Sequence, residues 1–99
     1  MAVYLISSFD IEKPTVFEGY VPAVLPLLEK HGAEIIVADY AARTFEGEKR
    51  GVNVVIKFET EASANAFYHD PEYQLAKNVR LSSTSNGTVV LAKGFTAGS

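Results

Sequence analysis

The chain has no cysteine. This excludes a disulfide framework, a thiolate nucleophile and a cysteine-bound metal, and it leaves the redox compartment open. It also has no apolar run near the roughly eighteen residues that a membrane span requires. The opening MAVYLISSF lacks a basic leader and is broken by polar residues, so no signal peptide is expected and a cytoplasmic protein is the default. There is no basic stripe. The net charge is −3, and the only local basic pair is Lys49-Arg50, so neither a nucleic acid nor a membrane is an expected partner. Glycine-rich phosphate loops of the G-x-G-x-x-G and G-x-x-x-x-G-K-[ST] types are absent. His31 and His69 are far apart and fit no H-x-x-x-H or H-E-x-x-H spacing, so neither a metal nor a cofactor is expected. Ser7-Ser8 and Ser82-Ser83 lack the context of a nucleophile elbow.

What the chain does have is apolar content. Hydrophobic residues make up 47% of its 99 residues, enough for one core in one domain. That domain is expected over residues 1–95, with 96–99 as a flexible C-terminal tail. The most informative stretch is Asn53 to Tyr73. Val54, Ile56 and Phe58 alternate with Asn53, Val55 and Lys57, the period of a strand. Thr60 can cap a helix whose first turn carries Glu61. Pro71 ends that helix, and Asp70-Pro71-Glu72 starts another with a cap, a first-position proline and an acid.

In chain order, strands are predicted over Ala2–Phe9, Ala33–Phe45, Val52–Phe58 and Thr88–Lys93. The second is expected to be irregular near Asp39 to Arg43. A helix is predicted over Thr15–His31 and stopped at Gly32, with Pro22 and Pro26 either kinking it, the favoured reading, or marking a loose turn before a shorter helix from about Pro22. Two short helices follow at about Glu61–His69 and Pro71–Val79. Arg80–Ser85 reads as a polar loop and Asn86-Gly87 as a turn. The order β-α-β-β-α-β is the ferredoxin-like arrangement, an α+β fold with a four-stranded antiparallel sheet and both helices on one face. Strands one, two and four are apolar on both sides, so the second sheet face needs a cover. The expected cover is a second copy, giving a homodimer through the open sheet face.

Several pieces together resemble the bacterial family called domain of unknown function 1330, of the dimeric α+β-barrel superfamily. They are the Tyr4 strand, Tyr20, Lys30-His31-Gly32-Ala33, Phe45-Glu46-Gly47, Arg50 and Lys57-Phe58. Ala62 to Ala66, Phe67-Tyr68-His69-Asp70-Pro71-Glu72-Tyr73, Arg80 and the closing strand to Gly94 complete the set. The run from Phe67 to Tyr73 with Arg80 after it is the most specific. The chain departs from the family where a glycine pair and an arginine-glycine-glycine piece are common; it reads Gly32-Ala33 and Ala38-Asp39-Tyr40 there. The resemblance implies a homodimer with two sheets closed face to face as a dimeric α+β barrel. It implies no established reaction. The wider superfamily holds cofactor-free monooxygenases, haem-degrading enzymes, isomerases and stress-response proteins, an analogy at the level of fold.

Candidate site residues each have a functional and a structural reading. Tyr20, Tyr68 and Tyr73 are either core and rim tyrosines or the lining of a ligand pocket between helices and sheet. Asp39 is either a general base held in an apolar setting or an edge residue capping a turn. Arg80 either holds a ligand carboxylate or suits the end of its helix, pairing with Asp39, Glu46 or Asp70. His69 is either a general base or a helix cap. Arg50 is expected to pair with Glu46 or Glu48, or with the other subunit. The expected function is a homodimeric small-molecule-binding protein or cofactor-independent enzyme for a small organic acid or aromatic compound. The alternative is a non-catalytic structural or regulatory homodimer.

Overall fold

In a computed structural model, which describes residues 1–97, the elements run in the order expected. They are β1 (Val3–Ile11), α1 (Pro14–Phe17), α2 (Tyr20–Lys30), β2 (Glu34–Asp39), β3 (Val52–Phe58), α3 (Glu61–Tyr68), α4 (Pro71–Ser83) and β4 (Thr84–Lys93). The strands form one antiparallel sheet in the order β2-β3-β1-β4. β2 and β4 are edges and do not pair with each other, so the sheet is open. This corrects the expected α+β barrel. Closing a barrel requires the two edge strands to meet with matched tilt and stagger; two apolar faces signal a cover, not closure. Of the expected tail 96–99, residues 98 and 99 lie outside the described residues.

The sheet has two unlike faces. On one, Val3, Leu5, Ile56 and Phe58 are buried against Val24, Leu27 and Leu28 of α2, Ala64 and Phe67 of α3, and Tyr73 and Ala76 of α4, while Phe9 and Val52 form a second buried cluster with Phe17 of α1. Phe67 is the hinge of this core. Its ring centroid lies 4.5 Å from that of Tyr73, 5.5 Å from that of Phe58 and 6.0 Å from that of His31. On the other face the register aligns Tyr4 with Ala92, Ile6 with Val55 and Val90, and Val55 with Val37. Among the described residues no helix lies over that face, and Val37 and Val90 remain exposed. The smallest dimension of the backbone, 16 Å, is that of two layers.

The region predicted as one kinked helix is two helices. α1 ends at Phe17 and α2 begins at Tyr20, with Gly19 between them. Pro22 therefore falls in the first turn of α2, where no amide has an intrahelical partner. Pro26 alone interrupts the helix. Gly32 ends α2 in the left-handed region at φ +66, with its amide donating to the Glu29 carbonyl and that of Ala33 to Leu28, a closure that glycine allows without strain. β2 is shorter than predicted, and its irregularity lies between Ile35 and Val37. Residues 40–51 form a loop fastened by Ala42 N donating to the Gly51 carbonyl. Arg50 pairs with Glu48 as expected, at 3.3 Å.

The larger correction concerns α4. It runs through to Ser83, so Arg80 is helical rather than in a loop, and β4 starts directly at Thr84. The predicted turn at Asn86-Gly87 is a bulge: these two residues oppose Phe9 alone, between the pairs Ser8–Thr88 and Asp10–Ser85. Asn86 takes φ 55 there, a conformation asparagine tolerates better than most residues.

Asp70 ties the two long helices together. Its Oδ1 accepts from the Glu72 amide at 2.9 Å, capping α4. Its Oδ2 accepts from Lys30 Nζ at 2.9 Å and sits 2.8 Å from His31 Nε2, at the end of α2. His31, then Lys30, then the Glu72 amide hold the carboxyl well below the ordinary value of 3.8. A depressed folded-state pKa means stability that is fully present above the unfolded value and lost as pH falls through the folded one. Asp70→Asn is thus expected to lower the melting temperature at neutral pH and to flatten its decline below about pH 4. Melting curves between pH 2 and 7 check this; parallel curves for the two proteins would remove Asp70 from the acid transition.

Candidate functional site

Between the helices and the covered sheet face is a cavity of about 150 Å³. Its sheet wall includes Leu5 and Ser7 of β1, Val54 and Ile56 of β3, Ile35 and Ala38 of β2 and Val89 of β4; its helix wall is Phe17, Tyr20, Val21, Phe67 and Tyr73. The wall is mainly carbon. The lining residues that carry a polar side-chain group are Ser7, Tyr20, Tyr40 and Tyr73.

Tyr20 opens α2 and Tyr73 lies in the first turn of α4. Packing of these helices brings the two hydroxyls to 3.1 Å. Arg80, two turns beyond Tyr73 on the same side of α4, is 4% exposed and directs its guanidinium at both phenols, with Tyr68 close by. Among the described residues no carboxylate pairs with it, whereas burying a cation normally calls for a counter-charge. Burial alone would lower the Arg80 pKa, but Tyr73 and Tyr20 outweigh it and the net shift is upward. Burial pushes the Tyr20 phenol well above its usual range, Tyr73 adds to this and Arg80 partly opposes it. Tyr20 is therefore a neutral hydroxyl at physiological pH. Only one hydroxyl of the pair can donate to the other, so the pair's remaining proton is available for an acceptor in the cavity.

Among the residues singled out in the sequence, Tyr20, Tyr73 and Arg80 come together, and Tyr68 borders the group, with its ring 5.6 Å from that of Tyr73. Asp39 and His69 do not join them. Asp39 is exposed at the end of β2, and its Oδ1 accepts from the Ala41 amide at 2.8 Å, a local turn. It is paired with Asn53 on the open face, while its neighbours Ala38 and Tyr40 line the cavity. His69 is exposed at the end of α3, its Nδ1 2.9 Å from the Asn65 carbonyl oxygen. It lines a separate groove with Tyr68, Val89 and Leu91 at the β4 edge. Arg80 is not paired with Asp39, Glu46 or Asp70. Ser7 was not singled out for the cavity. Its signal was a serine on the Val3, Leu5, Phe9 side of β1, where carbon is otherwise the rule. Among the described residues no three metal-ligating side chains converge, and no helix is long and apolar enough to cross a membrane.

An open antiparallel sheet, helices on one face and a tyrosine-lined cavity between them define an α+β protein of ferredoxin-like topology. Residues 2–95 match the family described as Domain of unknown function (DUF1330), and the chain belongs to that family. No curated protein matches the sequence. Among solved structures, a protein of unknown function from Rhodopseudomonas palustris is similar with a TM-score of 0.82 at 12% identity, over 96% of this chain and 83% of that one. A dimeric ferredoxin-like protein of unknown function from Jannaschia sp. CCS1 gives 0.74 at 16% identity, over 95% and 100%. SnoaB, a cofactor-independent oxygenase from Streptomyces nogalater, gives 0.65 at 11% identity, over 97% and 95%. At such identities the likeness shows the fold alone.

Proposed function

We propose that the protein binds a small organic acid or aromatic compound in the cavity between helices and sheet, and does so as a homodimer joined through the open sheet face. The observation that carries the binding reading is Arg80, a buried cation with no carboxylate partner among the described residues, set behind two phenols that border an apolar cavity. A ligand oxygen anion would accept a hydrogen bond from the Tyr20–Tyr73 pair and balance the charge of Arg80 behind it. At a separation of about 6 Å and an effective dielectric near 20, that attraction amounts to roughly 3 kcal/mol. The cavity lining holds no carboxylate and no imidazole. Any cofactor-independent reaction here would thus use Tyr20 as a donor stabilising a developing oxyanion, not as a base. Asp39 and His69 have no part in this reading, and Asp39→Asn is expected to leave ligand affinity unchanged within a factor of two.

Support for the dimer comes from the apolar residues aligned on the uncovered face, and a relative of the same fold is described as dimeric. The two sheets stack as open sheets.

The test is a thermal-shift screen of small carboxylic acids, phenols and quinones against the wild type, Tyr20→Phe and Arg80→Met. Carboxylates are expected to raise the melting temperature of the wild type, with apparent affinity reduced roughly 10- to 100-fold in Arg80→Met. Hits that ignore both substitutions, or no hits at all, would favour the non-catalytic structural homodimer.

A further inference from the structure

The cavity's size and the Ser7 hydroxyl on its sheet wall narrow the ligand further. We infer that it is a single six-membered aromatic ring bearing one carboxylate and one ring hydroxyl, with the carboxylate at the Tyr20–Tyr73 pair and the hydroxyl at Ser7. The inference rests on the binding reading above and adds a ring count and a second recognition residue.

Size comes first. A cavity of about 150 Å³ walled by aliphatic and aromatic carbon is the size of space that accepts benzene. A fused second ring overfills it. A two-carbon acid reaches the phenols but leaves the walls of Val54, Ile56 and Phe67 without contact, so most of the apolar gain is lost.

Ser7 comes second. It lies on the sheet wall, paired in register with Val54 and Val89. Among the described residues its hydroxyl has no hydrogen-bond partner. Neighbouring Ser8, on the open face, does have one, donating to Asn53 Oδ1 at 2.7 Å. A hydroxyl offered to a cavity of carbon walls is both a donor and an acceptor without a counterpart. The phenol pair on the opposite, helical wall has a spare donor, backed by Arg80. One wall therefore suits an anionic acceptor and the other a neutral hydroxyl, and a ring between them presents its faces and edges to carbon.

The experiment is calorimetric titration of acetate, benzoate, 3- and 4-hydroxybenzoate and 2-naphthoate into the wild type, Ser7→Ala and Tyr20→Phe. In the wild type, benzoate is expected to bind at least tenfold more tightly than acetate or naphthoate. One of the hydroxybenzoates is expected to bind about fivefold more tightly than benzoate, the worth of one hydrogen bond. Ser7→Ala should remove that preference and leave benzoate affinity unchanged. The inference is overturned if naphthoate or acetate matches benzoate, if neither hydroxybenzoate is preferred, or if the preference survives in Ser7→Ala. In each of those cases the broader binding reading stands as long as Tyr20→Phe weakens whichever acid binds. If no acid binds, or if none responds to Tyr20→Phe, that reading fails as well. Because the Ser7 hydroxyl has no hydrogen-bond partner among the described residues, Ser7→Ala should melt within a degree or two of the wild type; if it does not, Ser7→Cys, which keeps the size but donates and accepts only weakly, replaces it under the same criteria.

Discussion

Replacing Val55 by glutamate is expected to halve the particle mass in solution while leaving the fold intact. Val55 lies in the middle of the uncovered face, with Ile6 beside it on β1 and Val37 on β2. In a single chain that position is only partly buried, so a glutamate there can reach water and costs the monomer little. In a two-fold dimer through this face the substitution enters twice. Each carboxylate is desolvated against carbon with no partner, and symmetry brings like charges toward each other. A buried unpaired charge costs several kcal/mol, enough to dissociate a dimer at micromolar concentration. Light scattering of the wild type should give twice the mass of one chain, and of Val55→Glu the mass of one. Circular dichroism should be the same for both. A monomeric wild type, or an undiminished mass for the variant, would place the interface elsewhere.

The second large effect is on stability. Phe67→Ala is expected to cost about 3–5 kcal/mol, measured as a shift in the denaturant midpoint at constant slope. Phe67 is 1% exposed and is the ring through which Phe58 of the sheet, Tyr73 of α4 and His31 at the end of α2 meet. It is also a wall of the cavity, so its removal enlarges an existing space instead of letting neighbours collapse into it, which places the cost in the upper part of the range. Against a total of about 5–15 kcal/mol for a domain, the variant should be marginal. A loss under about 1.5 kcal/mol would mean that α3 packs far more loosely than this core implies.

Much of the fold was legible in the residues. The alternation from Asn53 to Phe58 placed β3, and Thr60 and Asp70 cap α3 and α4 as their positions suggested. The misreadings have physical causes. The polar run Arg80–Ser85 reads as a loop, yet Tyr73, Ala76, Arg80 and Ser83 continue one helical stripe and are all buried. A polar composition outweighed the period that should have decided. Asp39 looked like a base because it interrupts an apolar strand. Counting by twos between Ala38 and Tyr40 would have turned it away from any pocket that those two line. The bulge at Asn86-Gly87 carries the same two residues as a hairpin turn, and which of them forms depends on the register with β1, which is not a local property. The apolar second face indicates only that something covers it; the barrel is what the family resemblance implies, and the pattern of side chains holds no information on whether edge strands meet. The cluster itself was half visible: Tyr20, Tyr73 and Arg80 were singled out one by one, but their convergence depends on how α2 packs on α4.

The most direct measurement of the central claim is a benzoate titration of protein carrying carbon-13-labelled tyrosine, followed by the ring signals. Of the five tyrosines, Tyr20 and Tyr73 should shift together and saturate with one affinity, and Tyr4, on the open sheet face, should stay still. Shifts confined to Tyr4 or Tyr68, or none at saturating benzoate, would contradict an anion site at the Tyr20–Tyr73–Arg80 cluster.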